Sequence, residues 1–176
     1  LPPKLIKQGL SAEVYISHFN NPFSFFVHLQ KEENDMHSLL EKLNEPKSLC
    51  DVPVDFGDLQ IGDLVKAEFP DNSSWYRAVV RHKLEDNIVH VEFIDFGSEA
   101  TIPCVKTSYL DKELVTCPKF SIPCSLGGVN NKHDKLDEEA ALIFKRATAE
   151  NPKKIFTCTF TQETESVWDV ILEDLD

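Results

Sequence analysis

Four aromatic residues lie beside two turns in the middle of the chain. Phe69 and Tyr76 flank a turn at residues 70–73, and Phe93 and Phe96 stand at the end of a later strand. If the strands between them run up and down, both turns meet at one end of a sheet, where four rings could wall a slot. Ring faces are electronegative, so such a slot attracts a flat or quaternary cation, with about 0.5–2 kcal/mol per contact.

The same rings could instead form a hydrophobic core, because small β-barrels need bulky interior residues. Trp75 points to the opposite side of its strand from Tyr76, so we expect it to pack and not to contact a ligand. Arg77 and Asp95 carry opposite charges close to the rings, and we expect them to pair and to brace the two ring-bearing strands. Both interpretations of the rings, core and open slot, are compatible with the pattern.

The rings belong to a stretch, residues 60–102, that is predicted to be all β. Short apolar runs end there in turns rich in Pro, Asp, Asn, Ser and Gly. The predicted strands cover residues 63–69, 75–82, 88–94 and 99–102. Short strands joined this tightly are typical of a small, strongly bent barrel.

Two strands and a helix are predicted before this stretch. Residues 13–18 and 23–29 form the strands, with a turn cluster between them. The helix follows, with Asn34 as its N-cap and Pro46 beyond its end. Its apolar stripe consists of Met36, Leu39, Leu40 and Leu43.

Three strands and a second helix are predicted after it. Alternating residues indicate strands over 120–126, 156–160 and 168–172, the last including a core Trp168. Pro123 lacks an N–H, which predicts an edge strand or a bulge at the first of them. The helical stripe consists of Leu136, Ala140, Ile143, Phe144 and Ala147. Because neither flank has enough strands to close a core alone, we predict that the flanks pack together.

The charge balance restricts the class of partner. The 176 residues include 30 acidic and 18 basic ones, for a net charge of −12. Duplex nucleic acid needs a basic surface, so it is not expected as the main partner, whereas a cationic partner would be steered in. Glu68, Asp71, Glu92 and Glu99 fall near the rings in sequence and could add to that attraction.

The cysteines predict neither a zinc site nor a disulfide framework. Their number is odd, and no two have the spacing of a metal-binding pair. We expect buried, reduced thiols and no metal or other cofactor. The residues are Cys50, Cys104, Cys117, Cys124 and Cys158. With no initiator Met and no basic-then-apolar leader, the chain is expected to be a piece of a longer protein. No run approaches the roughly 18 apolar residues that a membrane helix needs.

The central stretch resembles the Tudor domain family. The matching motifs are G-D-L-V-K-A at residues 62–67, W-Y-R-A at 75–78 and F-I-D-F-G-S at 93–98. In the family an aromatic residue stands seven positions before the Tyr, and a later segment reads aromatic-x-D-aromatic-G-N. Every position matches except the last, where Ser98 replaces Asn. The flanks look like the split nuclease-like OB subdomain of extended Tudor domains.

This resemblance implies a mainly β fold with two helices, in which a small bent Tudor barrel is inserted into a split OB-like, staphylococcal-nuclease-like barrel. Residues 1–45 would form the first part of the OB-like subdomain with a linker helix, and residues 46–56 a linker. Residues 57–105 would form the Tudor barrel, and residues 106–176 the second OB-like part.

The resemblance also implies methylarginine reading. The family's aromatic cage around a dimethylated guanidinium carries over to Phe69, Tyr76, Phe93 and Phe96. Ser98 would take the place of the Asn that hydrogen-bonds the guanidinium, with a shorter side chain. The partner would be an Arg-rich, dimethylated peptide, such as the tail of a PIWI-type protein, in the cytoplasmic granules of the germline.

Three other functions compete with this one. A scaffold could bind unmodified arginine or a methylation-independent partner, which the change at Ser98 favours. A phosphodiesterase would need metal-binding carboxylates near arginines, and the flanks offer no convincing set, so we predict no enzyme activity. Single-stranded RNA on the OB-like face is disfavoured by the acidic balance.

Overall fold

The computed structural model describes residues 1–46, 52–126 and 154–174. This part of the chain is mainly β, with one α-helix, α1 (Glu33–Leu43). The strands are β1 (Ser11–Asn21), β2 (Ser24–Leu29), β3 (Leu64–Glu68), β4 (Trp75–Lys83), β5 (Ile88–Phe93), β6 (Glu99–Pro103), β7 (Thr107–Tyr109), β8 (Ile122–Leu126), β9 (Phe156–Thr164) and β10 (Val167–Asp174). No helix within these limits is long and apolar enough to cross a membrane.

The chain divides into two compact units. The outer unit comprises Lys4–Glu33 and the described residues from Phe120 onward, and the central unit comprises Leu1–Pro3 and the described residues of Asn34–Lys119. Residues 106–119, which the resemblance placed in the second OB-like part, therefore group with the central unit. The second predicted helix, at residues 136–147, lies outside the described residues.

The outer unit is a closed barrel in the order β1-β2-β8-β10-β9. Pairing of β1 with β9 closes it, and only the β8–β10 pair is parallel among the described strands. Alternate residues of each strand face the interior, as the period-two pattern predicted. This core contains Val14, Phe25, Val27, Ile122, Cys158, Phe160, Trp168 and Val170.

The prediction that Pro123 marks an edge or a bulge is wrong. Its strand β8 lies between β2 and β10 and pairs with both. Pro123 stands opposite Phe26 of β2, whereas pairing with β10 begins one residue later, at Cys124. The missing N–H therefore removes no hydrogen bond to β10, and the strand can be central.

Helix α1 begins differently from the prediction. A 3-10 turn, Gln30–Glu32, runs directly into it, so Asn34 lies inside the helix and is not its N-cap. The turn supplies the entry that a capping side chain would otherwise provide. Three residues of the predicted apolar stripe, Met36, Leu39 and Leu43, are buried, and the fourth, Leu40, is half-buried.

The central unit is an antiparallel sheet in the order β6-β5-β4-β3-β7. The four strands predicted between residues 63 and 102 are all present. The short strand β7 pairs with β3 and lies after residue 105, where no strand was predicted. A bulge after Val80 of β4 bends the sheet. The core of the sheet includes Val65, Ala67, Ala78, Val91, Phe93 and Ile102.

Candidate functional site

The turn between β3 and β4 places the first two rings. Phe69 directly follows β3, and its N–H donates to the carbonyl of Ser74 at 2.8 Å. The Ser73 N–H donates back to the Phe69 carbonyl at 2.9 Å. Ser73 itself is in the left-handed region, with φ 58°, which closes the loop in few residues. Phe69 and Tyr76 are thereby held on the same side of a short hairpin.

The turn between β5 and β6 places the other two rings. The Phe93 N–H donates to the Ser98 carbonyl at 2.8 Å, and the Gly97 N–H donates to the Phe93 carbonyl at 2.8 Å. Gly97 has φ 97°, a conformation that residues other than glycine resist. The glycine of the motif is therefore required for the turn that carries Phe96.

All four rings meet in one cluster. The Tyr76 ring centre lies 6.1 Å from that of Phe69, 6.1 Å from that of Phe93 and 5.4 Å from that of Phe96. The Phe69 and Phe93 centres are 5.2 Å apart. Every one of these pairs is edge-to-face, with ring planes at 83–89°. Tyr76 is thus the ring that contacts the other three.

The four rings differ in exposure. Phe93 is 1% exposed and belongs to the core of the central unit. Phe69, Tyr76 and Phe96 are half-buried. The core interpretation therefore describes Phe93, whereas the other three rings are only partly covered.

Arg77 and Asp95 form a buried ion pair next to the rings, as expected for a brace. Both side chains have 0% exposure, and the guanidinium donates to the two carboxylate oxygens at 2.6 and 2.8 Å. Its remaining N–H groups donate to the carbonyls of Leu114, Cys117 and Pro118 at 3.0–3.1 Å. All five donors are satisfied. Burial acts to lower the pKa of Arg77, but the hydrogen bonds and charge of Asp95 outweigh it, so the pKa is raised.

Asn44 holds the start of β4, a role that the sequence pattern did not predict. Its side chain accepts from the Trp75 N–H at 2.7 Å and donates to the Trp75 carbonyl at 3.0 Å, as a neighbouring strand would. It also donates to the Leu40 carbonyl at the end of α1. The pairing of β4 with β5 begins only at Ala78, so β5 does not pair with the first residues of β4. Asn44 bonds to Trp75 at this unpaired end of the strand. An Asn directly after a helical stripe was the available signal.

Asn72 was also not predicted. It lies in the turn between β3 and β4, and its Nδ2 donates to the Tyr76 hydroxyl at 2.8 Å. Its Oδ1 accepts from the Ser74 N–H at 3.0 Å. Asn often bonds to backbone two residues onward in turns, which was the available signal.

Ser98 and the acidic residues complete the surroundings. Ser98 is half-buried, and within the described ranges its hydroxyl makes no hydrogen bond, so it can accept one from a ligand. Three of the four acidic residues have basic neighbours: Glu68 pairs with Lys106 at 3.3 Å, Glu92 with Arg81, and Glu99 approaches His90 at 3.7 Å. The fourth, Asp71, is exposed.

A comparison with known families matches the Tudor domain to residues 6–128. The chain belongs to the Tudor domain family. Tudor domains are non-catalytic binding modules. In the described part of the chain, no three His, Cys, Asp or Glu side chains are grouped to hold a metal ion.

Relatives and solved structures agree with this membership. The chain is 45% identical over 173 residues to Tudor domain-containing 6 of Danio rerio and 32% identical to the human Tudor domain-containing protein 6. Each match covers 98% of this chain but 8% of the relative. The fold matches the human TDRD1 extended Tudor domain in complex with a symmetrically dimethylated peptide, with TM-score 0.85, 23% identity and coverage of 97% of this chain and 83% of that one. A complex of Tudor and Aubergine matches with TM-score 0.76 at 23% identity, over 93% of each chain.

Proposed function

We propose that this Tudor domain reads dimethylarginine in Arg-rich peptides without catalysis. The guanidinium would enter between Phe69, Tyr76 and Phe96, above Phe93, with Ser98 as a polar partner. The observation that carries this proposal is the central position of the half-buried Tyr76, whose ring contacts the other three edge to face. Such perpendicular walls can present several ring faces to one cation.

Methylation suits such a slot for a physical reason. It keeps the positive charge of arginine but removes N–H donors. An unmodified guanidinium held among rings would leave donors without partners, at a cost of about 1–3 kcal/mol each. One such donor corresponds to a preference of about 5- to 150-fold for the methylated form.

Solved structures of similar fold support the proposed partner class. Mouse TDRD1 is similar in fold, with TM-score 0.85 at 19% identity, and it is bound to a MILI peptide containing dimethylarginine. The Tudor complex contains Aubergine with a dimethylated arginine. By this similarity we propose a dimethylated tail of a PIWI-type protein as the partner here, met in germline cytoplasmic granules.

A scaffold function is the second candidate. Two observations favour it: Phe93 is buried, and Ser98 is shorter than the family's Asn. In that case the cluster would bind unmodified arginine, or a partner would bind elsewhere.

Fluorescence anisotropy with four matched peptides tests the proposal. The peptides carry one arginine that is unmodified, monomethylated, symmetrically dimethylated or asymmetrically dimethylated. We expect a dimethylated peptide to bind at least about 5-fold more tightly than the unmodified one. Phe96→Ala should abolish that preference, whereas Tyr109→Ala, at an aromatic residue that is 58% exposed on β7, should not. Equal affinity for all four peptides would support the scaffold instead.

A further inference from the structure

The hydrogen bond between Asn72 and Tyr76 has a fixed direction. A backbone N–H only donates, so the Asn72 atom that faces the Ser74 N–H must be the amide oxygen. The other end of the amide, its nitrogen, therefore faces the Tyr76 hydroxyl at 2.8 Å. Asn72 is the donor in this bond, and the Tyr76 oxygen is the acceptor.

This direction determines what the Tyr76 hydroxyl offers to a ligand. A phenol has one O–H donor and accepts through the same oxygen. Because Asn72 occupies the acceptor side, the O–H proton must point elsewhere. Guanidinium groups are also donors only, so a guanidinium N–H would compete with Asn72 for the same phenol oxygen. A main-chain carbonyl of a peptide is an acceptor and does complement it.

We propose that Asn72 is a specificity-determining residue, which orients the Tyr76 hydroxyl to donate to a main-chain carbonyl of the bound peptide and not to accept a guanidinium N–H. This rests on the proposed reader function. The ring cluster then recognises the cation, and the Asn72–Tyr76 pair recognises the peptide that carries it. Unmodified arginine is disfavoured further, because the hydroxyl is not offered as an acceptor for its additional N–H groups.

A charge-neutral swap reverses the bond. In the double variant Asp71→Asn/Asn72→Asp, the new carboxylate still accepts from Ser74, but it can only accept from Tyr76. The hydroxyl must then donate to position 72, and its oxygen becomes free to accept from a guanidinium. The exchange of one Asp and one Asn keeps the net charge constant. Because Asp71 is exposed, its replacement should cost little stability. Asn72→Ala removes the bond without reversing it.

The direction can be measured without any ligand. The chain has three tyrosines, so Tyr15→Phe/Tyr109→Phe leaves Tyr76 as the single reporter. The tyrosine Raman doublet distinguishes an accepting hydroxyl from a donating one. Because the exposed hydroxyl also bonds to water, we expect the doublet to shift toward the donating signature in the swap relative to the protein with Asn72. An unchanged doublet would overturn the inference whether or not the domain binds peptides.

Binding of two probes tests the specificity. One probe is a dimethylarginine peptide, and the other is the N,N′-dimethylguanidinium ion, which has no main chain. Asn72→Ala should weaken the peptide by about 2- to 10-fold, as expected for one neutral hydrogen bond, and should leave the ion within about 2-fold. The swap should reduce the preference for dimethylated over unmodified peptide by a similar factor. Equal losses for both probes, or an unchanged preference, would overturn this inference alone, whereas a wild-type domain that binds neither probe would overturn the proposed function together with it.

Discussion

Edge-to-face aromatic contacts occur in both units, in two different settings. In the outer unit, Phe160 and Trp168 have ring centres 5.8 Å apart at 81°, and both are buried. In the central unit, Tyr76 and Phe96 have ring centres 5.4 Å apart at 85°, and both are half-buried. The pair geometry is nearly the same, so geometry alone does not distinguish a core from a site.

Position in the strand explains the difference. Phe160 and Trp168 occupy interior-facing positions of paired strands in a closed barrel, where neighbours cover them on every side. Tyr76 stands at the start of β4 and Phe96 in a turn, where the sheet ends. Tyr76 and Phe96 stay partly exposed at these positions, whereas Phe93, which ends β5, is buried.

The two units also differ in their buried polar groups. Arg77 and Asp95 form a charged core next to the rings of the central unit. The outer barrel buries two thiols, Cys124 and Cys158, among apolar residues, and the central core buries one, Cys104. The chain has two tryptophans, Trp75 in the central unit and Trp168 in the outer unit. Trp168→Phe and Trp75→Phe backgrounds therefore allow fluorescence to report each unit separately.

The largest effect is expected from Asp95→Ala. Arg77 would remain buried without its counter-charge, which typically costs about 3–5 kcal/mol. Denaturant unfolding in the Trp168→Phe background, where Trp75 reports, should show this loss in the central unit. The double variant Arg77→Met/Asp95→Leu removes both charges and should lose less. A loss below about 1 kcal/mol in the single variant would contradict a stabilising role for the pair.

Two phenylalanine truncations should separate core from site. Phe160→Ala creates a cavity in the outer barrel and should cost about 3–5 kcal/mol of unfolding free energy, with peptide affinity unchanged while the protein is folded. Phe96→Ala removes a half-buried ring, so its cost should be smaller, about 1–2 kcal/mol, but its affinity loss larger. Denaturant titration and anisotropy on the same samples measure both. The reverse pattern would contradict the distinction drawn from strand position.

Alkaline pH should weaken the outer unit. Burial raises the pKa of the Cys158 thiol to about 12, from 9.0, and raises that of Cys124 as well. The unfolded thiols lose their protons above about pH 9, but the folded ones keep theirs, so stability is full below pH 9 and falls as pH rises toward 12. Each thiol contributes up to about 1.4 kcal/mol per pH unit in this window. Unfolding followed through Trp168 should show this slope, and Cys158→Ala should reduce it.

Much of the fold could be predicted from the sequence, because period-two alternation marks strands with one buried face. The turn-flanking rings could also be predicted to meet, since Phe69, Tyr76, Phe93 and Phe96 lie at or beside the ends of strands that reverse direction. The burial of Phe93 could not, because it depends on how the bent sheet covers the ring. Asn44 and Asn72 could not either: each acts through hydrogen bonds to one specific atom, and no residue pattern encodes such a bond.

The smallest effect is expected from Ser98→Asn, which restores the family's residue. Asn has a longer side chain whose carbonyl oxygen can accept from the guanidinium, whereas the Ser98 hydroxyl must lie closer to do so. Because the Ser98 hydroxyl already offers an acceptor in the proposed site, the exchange improves one contact and does not add one, so affinity for the dimethylated peptide should rise by only about 2- to 10-fold. Ser98→Ala is the matched control and should lower affinity, or leave it unchanged if serine does not contact the ligand. Stability should change little in either variant, because Ser98 uses its backbone carbonyl, and not its side chain, to hold the turn. If Ser98→Asn instead weakens binding of every peptide equally, the side chain at position 98 does not contact the guanidinium. The four rings would then be better described as packed, like Phe160 and Trp168 of the outer barrel, than as a binding cage.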